Sequence, residues 1–527
     1  MKLRRLIFLW VAGQDFVVSR LSRNLSTHRM LFTPGVENYR WVVGRWRAWR
    51  TFEMARRRVP AYREYLESVA PGASVRLDGW LPDLTAIPEM DKASYITAYG
   101  IEARCLDGVL PRRGVVADES SGSSGSPTNW VRGRDERNAV RQILQATFTR
   151  AVGEKPIFVL NAFSLGAWAT GMNVSASLAD VCIIKSTGPD MTKIIDTMKA
   201  FGPAYGYVIM GYPPFLKNLV DDPRIDLRDY EAIAGFGGEG LSENMRHYLL
   251  RSFREVIGSY GASDLEINMA VETDFTIALR QELARNPELY AELTDERHGV
   301  MPMVFQYNPF AYVFDSNAAG ELVVTICRKE NLSPRINYNI HDRGHVVRMP
   351  ELTAILKRHG AHDVISKRLL DLPVLFHYGR SDLSVDYYGA TVAPDSIRDF
   401  VYSEAALGTD VSTYRMISYE DHEANKQLLF AIELKIGVPA ARFVERDVYE
   451  QAIAHLCRVN RDFEHAYRDA KPSTRPRLHL YAYGTGPFKD ASTKLKHEYV
   501  WQLDATAAVG CGILDEPIAD DVSIAAG

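Results

Sequence analysis

The sequence predicts an α/β protein, a layered α/β body followed by a smaller α+β region, and three observations predict it. At 527 residues the chain can bury a sizeable core and exceeds one ordinary domain. From residue 156 to residue 242 short apolar runs alternate with helical patterns, as in strands joined by crossover helices. Beyond residue 379 the pattern changes to paired strands and a long helical stripe. The expected division is an N-terminal extension over 1–38, a large domain over 39–378 and a small one over 379–527.

Composition excludes several classes. Hydrophobic content of 46% with 24% charged residues is ordinary for a soluble globular protein. A formal charge of −4 gives no electrostatic reason to expect nucleic acid or an anionic membrane as partner. Cys105, Cys182, Cys327, Cys457 and Cys511 are scattered, with no Cys-x-x-Cys pair. That argues against a zinc cluster or a disulfide framework and fits a reducing, cytoplasmic setting. The basic start Met1-Lys2-Leu3-Arg4-Arg5 and the apolar run Leu6 to Gly13 look superficially like a signal peptide. The run is too short to span a bilayer and lacks a clean small-residue cleavage site, so it reads as a helical extension packed on the body.

In chain order, Tyr39 to Leu66 has a helical pattern in which Arg56-Arg57-Arg58 reads as a solvated face. Pro156 to Phe163, Val181 to Ile184, Tyr207 to Met210 and Glu231 to Phe236 read as strands of a largely parallel sheet. Pro213-Pro214 opens a helix, where proline is tolerated in the first turn. Ser242 caps another, with Met245, Leu249, Phe253 and Val256 as one apolar stripe. In the last third, Asp395 to Glu404 and Glu445 to Tyr467 read as helices. Met416, Leu428 and Leu478 to Tyr483 mark strands.

The chemistry centres on Asp118-Glu119-Ser120-Ser121-Gly122-Ser123-Ser124-Gly125-Ser126-Pro127-Thr128. Glycines let the backbone turn its N–H groups inward and serines add hydroxyl donors, so the loop suits phosphate oxygens; a flexible Ser/Gly linker has the same composition. Gly125 is followed by Ser-Pro-Thr, not the Lys-Ser/Thr of a Walker loop, and no Gly-x-Ser-x-Gly elbow occurs here. A rival signal is Gly235-Phe236-Gly237-Gly238-Glu239-Gly240, which matches the dinucleotide fingerprint and would make the protein an NAD-dependent dehydrogenase. Against it, that fingerprint usually opens a fold on its first strand. His341, Asp342 and His345 lack a defined metal-ligand spacing and read as structural.

A series of segments in order carries a resemblance. They are Val59-Pro60-Ala61-Tyr62-Arg63, Leu84 to Pro88 with Asp91-Lys92, the serine loop, Gly237 to Arg246, and Ser259 to Glu266. Gly320 to Thr325, Arg335 to Gly344, Leu375 to Asp382 with Gly389 to Pro394, and Gly486 to Lys496 follow. Together they resemble the motifs of the AMP-forming ligases, in particular the phenylacetate–CoA ligase-like branch of the adenylate-forming superfamily. The resemblance implies a large N-terminal α/β domain and a small mobile α+β lid, with ATP between them. Ser120, Ser121, Gly122, Ser123, Ser124, Gly125 and Thr128 would hold the ATP phosphates. Gly238, Glu239 and Gly240 would run beside the adenine, and Tyr260, followed by Gly261, Ala262 and Ser263, would stack on it. Asp264 stands where the family has Glu, so Asp264 or Glu266 would hold Mg²⁺.

Asp342 would take the ribose hydroxyls, in a motif loosened by Asn337 in place of Arg and His341 in place of Gly. Arg380 would contact ribose or phosphate, and Asp382 would be the hinge. Phe163, Gly166 and Trp168, with Phe236, would line the acid pocket and favour an aromatic or otherwise apolar acid. Lys494 is the expected catalytic lysine, with Lys496 on the same strand face. The implied reaction activates a small-molecule carboxylic acid with ATP to an acyl-adenylate. The acyl group then passes to a thiol, with coenzyme A the expected acceptor. An amine acceptor, an adenylyltransferase and a catalytically inactive protein of the same fold stay open as alternatives. The oligomeric state is open too, a homodimer included.

Overall fold

The computed structural model describes residues 2–21, 35–120, 128–148, 155–294, 301–329, 331–381, 384–401, 407, 410–489 and 499–514. These fall into two units, one ending at Ser381 and the other holding the described residues from Ser384 on.

The first unit begins with α1 (Lys2–Leu21), laid on α2 (Glu37–Arg58). Phe8 meets the Trp46 and Trp49 rings edge-on, and Asp15 pairs with Arg47 at 2.9 Å and with Arg50. The helical pattern expected from Tyr39 to Leu66 is two helices, because α3 (Pro60–Val69) restarts at Pro60. Proline lacks an N–H to continue α2, yet its fixed φ suits the first position of a new helix. Arg56 and Arg57 pair with Glu53 and Arg58 with Asp107 in the last turn of α2, where cations complement the helix dipole. A short hairpin follows, β1 (Arg76–Asp78) with β2 (Leu81–Asp83). A second hairpin, β3 (Val116–Ser120) with β4 (Thr128–Arg132), brackets the serine loop. Its last pair is Ser120 opposite Thr128, and α4 (Arg134–Phe148) follows.

The core is an eleven-stranded sheet. Its first half is parallel: β5 (Ile157–Asn161), β6 (Ile183–Ser186), β7 (Gly206–Gly211), β8 (Glu231–Gly237) and β9 (Glu255–Tyr260), in the order β6-β5-β7-β8-β9. Helices α5 (Ala169–Leu178), α6 (Met191–Phe201), α7 (Pro213–Val220) and α8 (Glu243–Leu249) make the crossovers. Phe158, Val159 and Leu160 are all buried, as a strand covered on both faces requires. Ser242 caps α8 through the Met245 N–H at 3.0 Å. The expected stripe overruns that helix: Phe253 lies beyond its end and Val256 belongs to β9.

The second half of the sheet is antiparallel, which corrects the expectation of a largely parallel sheet. It comprises β10 (Ala270–Val271), β11 (Met303–Tyr307), β12 (Tyr312–Ser316), β13 (Glu321–Ile326), β14 (Tyr338–Val347) and β15 (Val374–Arg380). Helices α9 (Asp274–Arg285), α10 (Pro287–Leu293), α11 (Met349–Arg358) and α12 (His362–Ser366) pack with it, and Phe275, Leu279, Leu352 and Leu356 join Val304 and Phe376 in one core cluster. The reversal has a local cause between β12 and β13, where Gly320 at φ +77° closes a tight turn and no crossover helix intervenes.

The second unit opens with β16 (Val385–Tyr387) paired to β17 (Ala390–Val392), then α13 (Pro394–Val401). β18 (Val411–Glu420) and β19 (Lys426–Leu434) pair antiparallel. Helices α14 (Glu445–Val459) and α15 (Arg461–Asp469) come next, then β20 (Arg477–Tyr481), β21 (Val500–Leu503) and α16 (Ala505–Gly510). The sheet order is β20-β19-β18-β21. Val448, Ala452, Leu456 and Phe463 pack on Met416, Phe430 and Ile432. The single helix expected from Glu445 to Tyr467 breaks at Asn460, whose side chain caps α15 through the Phe463 N–H.

Candidate active site

Tyr260 at the end of β9, Asp342 within β14 and Arg380 at the end of β15 come together from far apart in sequence. Asp342 on β14 lies opposite Arg380 on β15 in the strand register. Its Oδ2 accepts from the Tyr260 hydroxyl at 2.7 Å and from His377 Nε2 at 3.2 Å. The His377 ring stands 4.7 Å from the Tyr260 ring, whose other neighbours include Phe305 at 5.9 Å. Burial alone would raise the Asp342 carboxyl, but His377, Arg380 and the Tyr260 hydroxyl hold it below the usual range. The same arrangement pushes the Tyr260 phenol well up, through burial and then the Asp342 charge. The site therefore keeps an ionised, acceptor-only group in a buried place.

The two departures from the expected ribose motif share one backbone feature. Asn337 has φ +46° and His341 φ +62°, the left-handed region where glycine carries no penalty. His341 thus takes the conformation that a glycine at that position would adopt freely. Asn337 is held by bonds to the Leu84 and Ile87 carbonyls at 2.8 and 3.0 Å.

The turn from Gly261 to Glu266 is closed by Ala262 N–H to the Glu266 carbonyl, and a Cβ on Gly261 would fall 2.7 Å from that oxygen. Arg132, four residues past Thr128 on β4, donates to the carbonyls of Ser263 at 2.5 Å and Leu265 at 2.6 Å. It also pairs with Asp118 at 2.7 Å, so one guanidinium ties the hairpin under the serine loop to this turn. Arg335 donates to the Asp264 carbonyl at 3.0 Å and lies over Trp130. The two candidate metal ligands are not brought together. The Asp264 carboxylate is partly exposed and accepts from the Tyr338 hydroxyl at 2.7 Å. Glu266 is fully buried against Arg328 and the Tyr312 hydroxyl. Among the described residues no group of three or more His, Cys, Asp or Glu is arranged to hold a metal ion.

A cavity of about 510 Å³ adjoins this turn. Phe163, Val174, Met210, Ile233, Gly237 and Ile267 line it, with Gly261, Ala262 and Ser263 at its edge. Phe163 and Phe236 border it from opposite faces of β8. Phe163 meets the Tyr212 ring and lies beside Gly237, whereas Phe236 abuts Gly258 and Arg246. Trp168 is elsewhere, bridged to Glu119 at the foot of the serine loop, and Gly166, at φ +88°, is exposed next to it.

Gly238, at φ +80°, turns the chain over Tyr212, and a Cβ there would fall 2.8 Å from that ring. Gly235 and Gly237 lie within β8 itself, so only Gly238 and Gly240 are in the turn that a dinucleotide fingerprint needs. Glu239 is buried, and Gly240 approaches Met303. Ser120 is buried at the end of β3, and Thr128 begins β4. Ser121, Gly122, Ser123, Ser124, Gly125, Asp382, Lys494 and Lys496 lie outside the described residues. His377 was not singled out by the sequence. Its one signal was a lone histidine in the otherwise apolar and aromatic run Val374-Leu375-Phe376-His377-Tyr378.

No family model and no curated protein sequence matches the chain. Among solved structures it is similar to 2-hydroxyisobutyryl-CoA ligase in complex with 2-HIB-AMP and CoA in the thioesterification state. The TM-score is 0.60 at 14% identity, over 91% of this chain and 93% of that one. The postadenylation state of the same ligase with 2-HIB-AMP gives a TM-score of 0.50 at 15% identity, over 92% and 93%. At such identities the likeness speaks for the fold alone: the chain has the adenylate-forming ligase fold.

Proposed function

We propose that this protein activates a carboxylic acid with ATP, releases pyrophosphate, and passes the acyl group from the acyl-adenylate to a thiol, coenzyme A. The observation that carries the reading is the convergence of Tyr260, Asp342 and Arg380. They come from three separate motifs of the phenylacetate–CoA ligase-like series and meet at one end of the sheet. The bound 2-HIB-AMP and CoA of the similar ligase support the same chemistry.

Each step has a physical demand. A carboxylate oxygen attacks the α-phosphorus, bringing two anions together, so the protein's task is mainly to position and to neutralise. Asp342 would accept the ribose hydroxyls, and Arg380 would face the phosphate charge. Mg²⁺, supplying charge neutralisation on the phosphates, fits the partly exposed Asp264 better than Glu266, which Arg328 already neutralises. The thiol sulfur then attacks the acyl carbon, and AMP leaves with the bridging oxygen. Lys494, in a mobile second domain hinged at Asp382, would add positive charge during the first step.

The cavity indicates the class of acid. Its wall carries no Lys, Arg or His among the described residues, and its carboxylates are Glu255, Glu272 and Asp274. A second carboxylate would find no counter-charge there, so the acid has an apolar, uncharged body. The test is pyrophosphate exchange into ATP over a panel of aryl, arylacetic, fatty and dicarboxylic acids. Exchange that depends on an apolar monoacid supports the reading; release of ADP, or NADH formation instead, overturns it.

A further inference from the structure

The ribose acceptor proposed above is not alone in its pocket. The Tyr260 hydroxyl and His377 Nε2 both reach one oxygen of Asp342, Oδ2, at 2.7 and 3.2 Å. No hydrogen bond to the other oxygen, Oδ1, is formed among the described residues. A carboxylate oxygen has room for about two good donors, so Oδ2 is saturated and Oδ1 is left to accept. Because ionised Asp342 can only accept, the His377 proton sits on Nε2. The strand fixes the imidazole: His377 lies between Gly344 on β14 and Met303 on β11 in the register. Its ring packs at 4.7 Å on the Tyr260 ring.

We propose that His377 is the positioning residue of the nucleotide site: it anchors Oδ2 of Asp342 and so presents Oδ1 to the ribose of the adenine nucleotide. This rests on the reading of Asp342 as ribose acceptor. Without His377 the carboxylate keeps only the Tyr260 bond, can rotate about that contact, and must be ordered when the nucleotide binds.

The test uses the full-length protein and AMP, with pyrophosphate as the ribose-free control. His377→Phe keeps an aromatic ring against Tyr260 but removes the donor. His377→Gln removes the ring and can restore a donor. His377→Phe should raise the AMP dissociation constant about tenfold or more, the usual loss for a hydrogen bond to a charged group. The KM for ATP should rise with it, while kcat and pyrophosphate inhibition stay near wild type, and His377→Gln should recover much of the affinity. Equal AMP affinity in His377→Phe and wild type overturns the inference and leaves the functional reading intact. So does parallel weakening of AMP and pyrophosphate, which marks general damage. A wild-type protein that binds no AMP sinks the reading of Asp342 itself, and this inference with it.

Discussion

Replacing Asp342 by alanine withdraws the acceptor of two donors at once, the buried Tyr260 hydroxyl at 2.7 Å and the half-buried His377 Nε2 at 3.2 Å. Two effects follow, and they separate by assay. The nucleotide loses a charge-assisted bond worth about 1.5–3 kcal/mol, so the AMP dissociation constant should rise about 10- to 150-fold. The fold loses an acceptor for a fully buried hydroxyl, costing about 1–3 kcal/mol in urea unfolding. The sign of its pH dependence is fixed by the lowered Asp342 carboxyl. A depressed carboxyl contributes stability that is full above its unfolded value, about 3.9, and is lost as pH falls through the folded one. The stability deficit of Asp342→Ala should therefore be largest near neutrality and shrink below about pH 4. Calorimetric titration with AMP, on a variant whose circular dichroism matches wild type, reads the first effect. Unchanged AMP affinity in that folded variant would refute the assignment of Asp342.

Three further outcomes are expected. Gly261→Ala puts a Cβ 2.7 Å from the Asn268 nitrogen and the Glu266 oxygen, both backbone. The turn must open, lowering stability by about 1–3 kcal/mol and weakening nucleotide binding; a variant as stable as wild type argues against the tight turn. Glu321 is pulled down to about 2: burial opposes this, but bonds from Ser381, Asn339, Asn317 and His341 prevail. Its stability contribution is present above about pH 4.3 and lost toward pH 2, so Glu321→Gln should narrow its gap to wild type in acid unfolding curves. By the family resemblance, Lys494→Ala should slow adenylate formation about 10²–10³-fold yet spare transfer from a prepared acyl-adenylate. Lys496→Ala is the control: a large loss there instead moves the register by two residues, and no loss in either removes the segment from catalysis.

Part of the candidate site is legible in local patterns. Tyr260, Asp342 and Arg380 each stand in a short motif of the sequence, and the structure brings the three together. His341 and Asn337 are the two places where that match loosens, and both take a positive φ, which residue type alone does not announce. What the sequence hid are contacts across distance. His377 bonds Asp342 and packs on Tyr260, on two other strands, and no neighbour of it in sequence marks those contacts. The division of Phe163 and Phe236 between two faces depends on strand register, which residue type does not carry.

Periodicity misled where it was short. Met245, Leu249, Phe253 and Val256 satisfy a helical stripe, but the helix stops at Leu249 and Val256 enters a strand. The stripe from Val448 to Tyr467 is real packing across two helices, and Asn460 breaks it by capping the second. The sheet was misjudged for a related reason. Apolar runs of β-branched residues look alike in parallel and antiparallel strands, and only the connections decide which is formed.

Attack of a carboxylate oxygen on the α-phosphorus of ATP leaves an isotopic trace in the nucleotide. The direct measurement uses an accepted acid labelled with ¹⁸O in both carboxylate oxygens, with coenzyme A and ATP, and mass analysis of the nucleotide product. AMP should carry one ¹⁸O, because the bridging oxygen of the acyl-adenylate leaves with the nucleotide when sulfur attacks. Unlabelled AMP, or label in inorganic phosphate beside ADP, would contradict it.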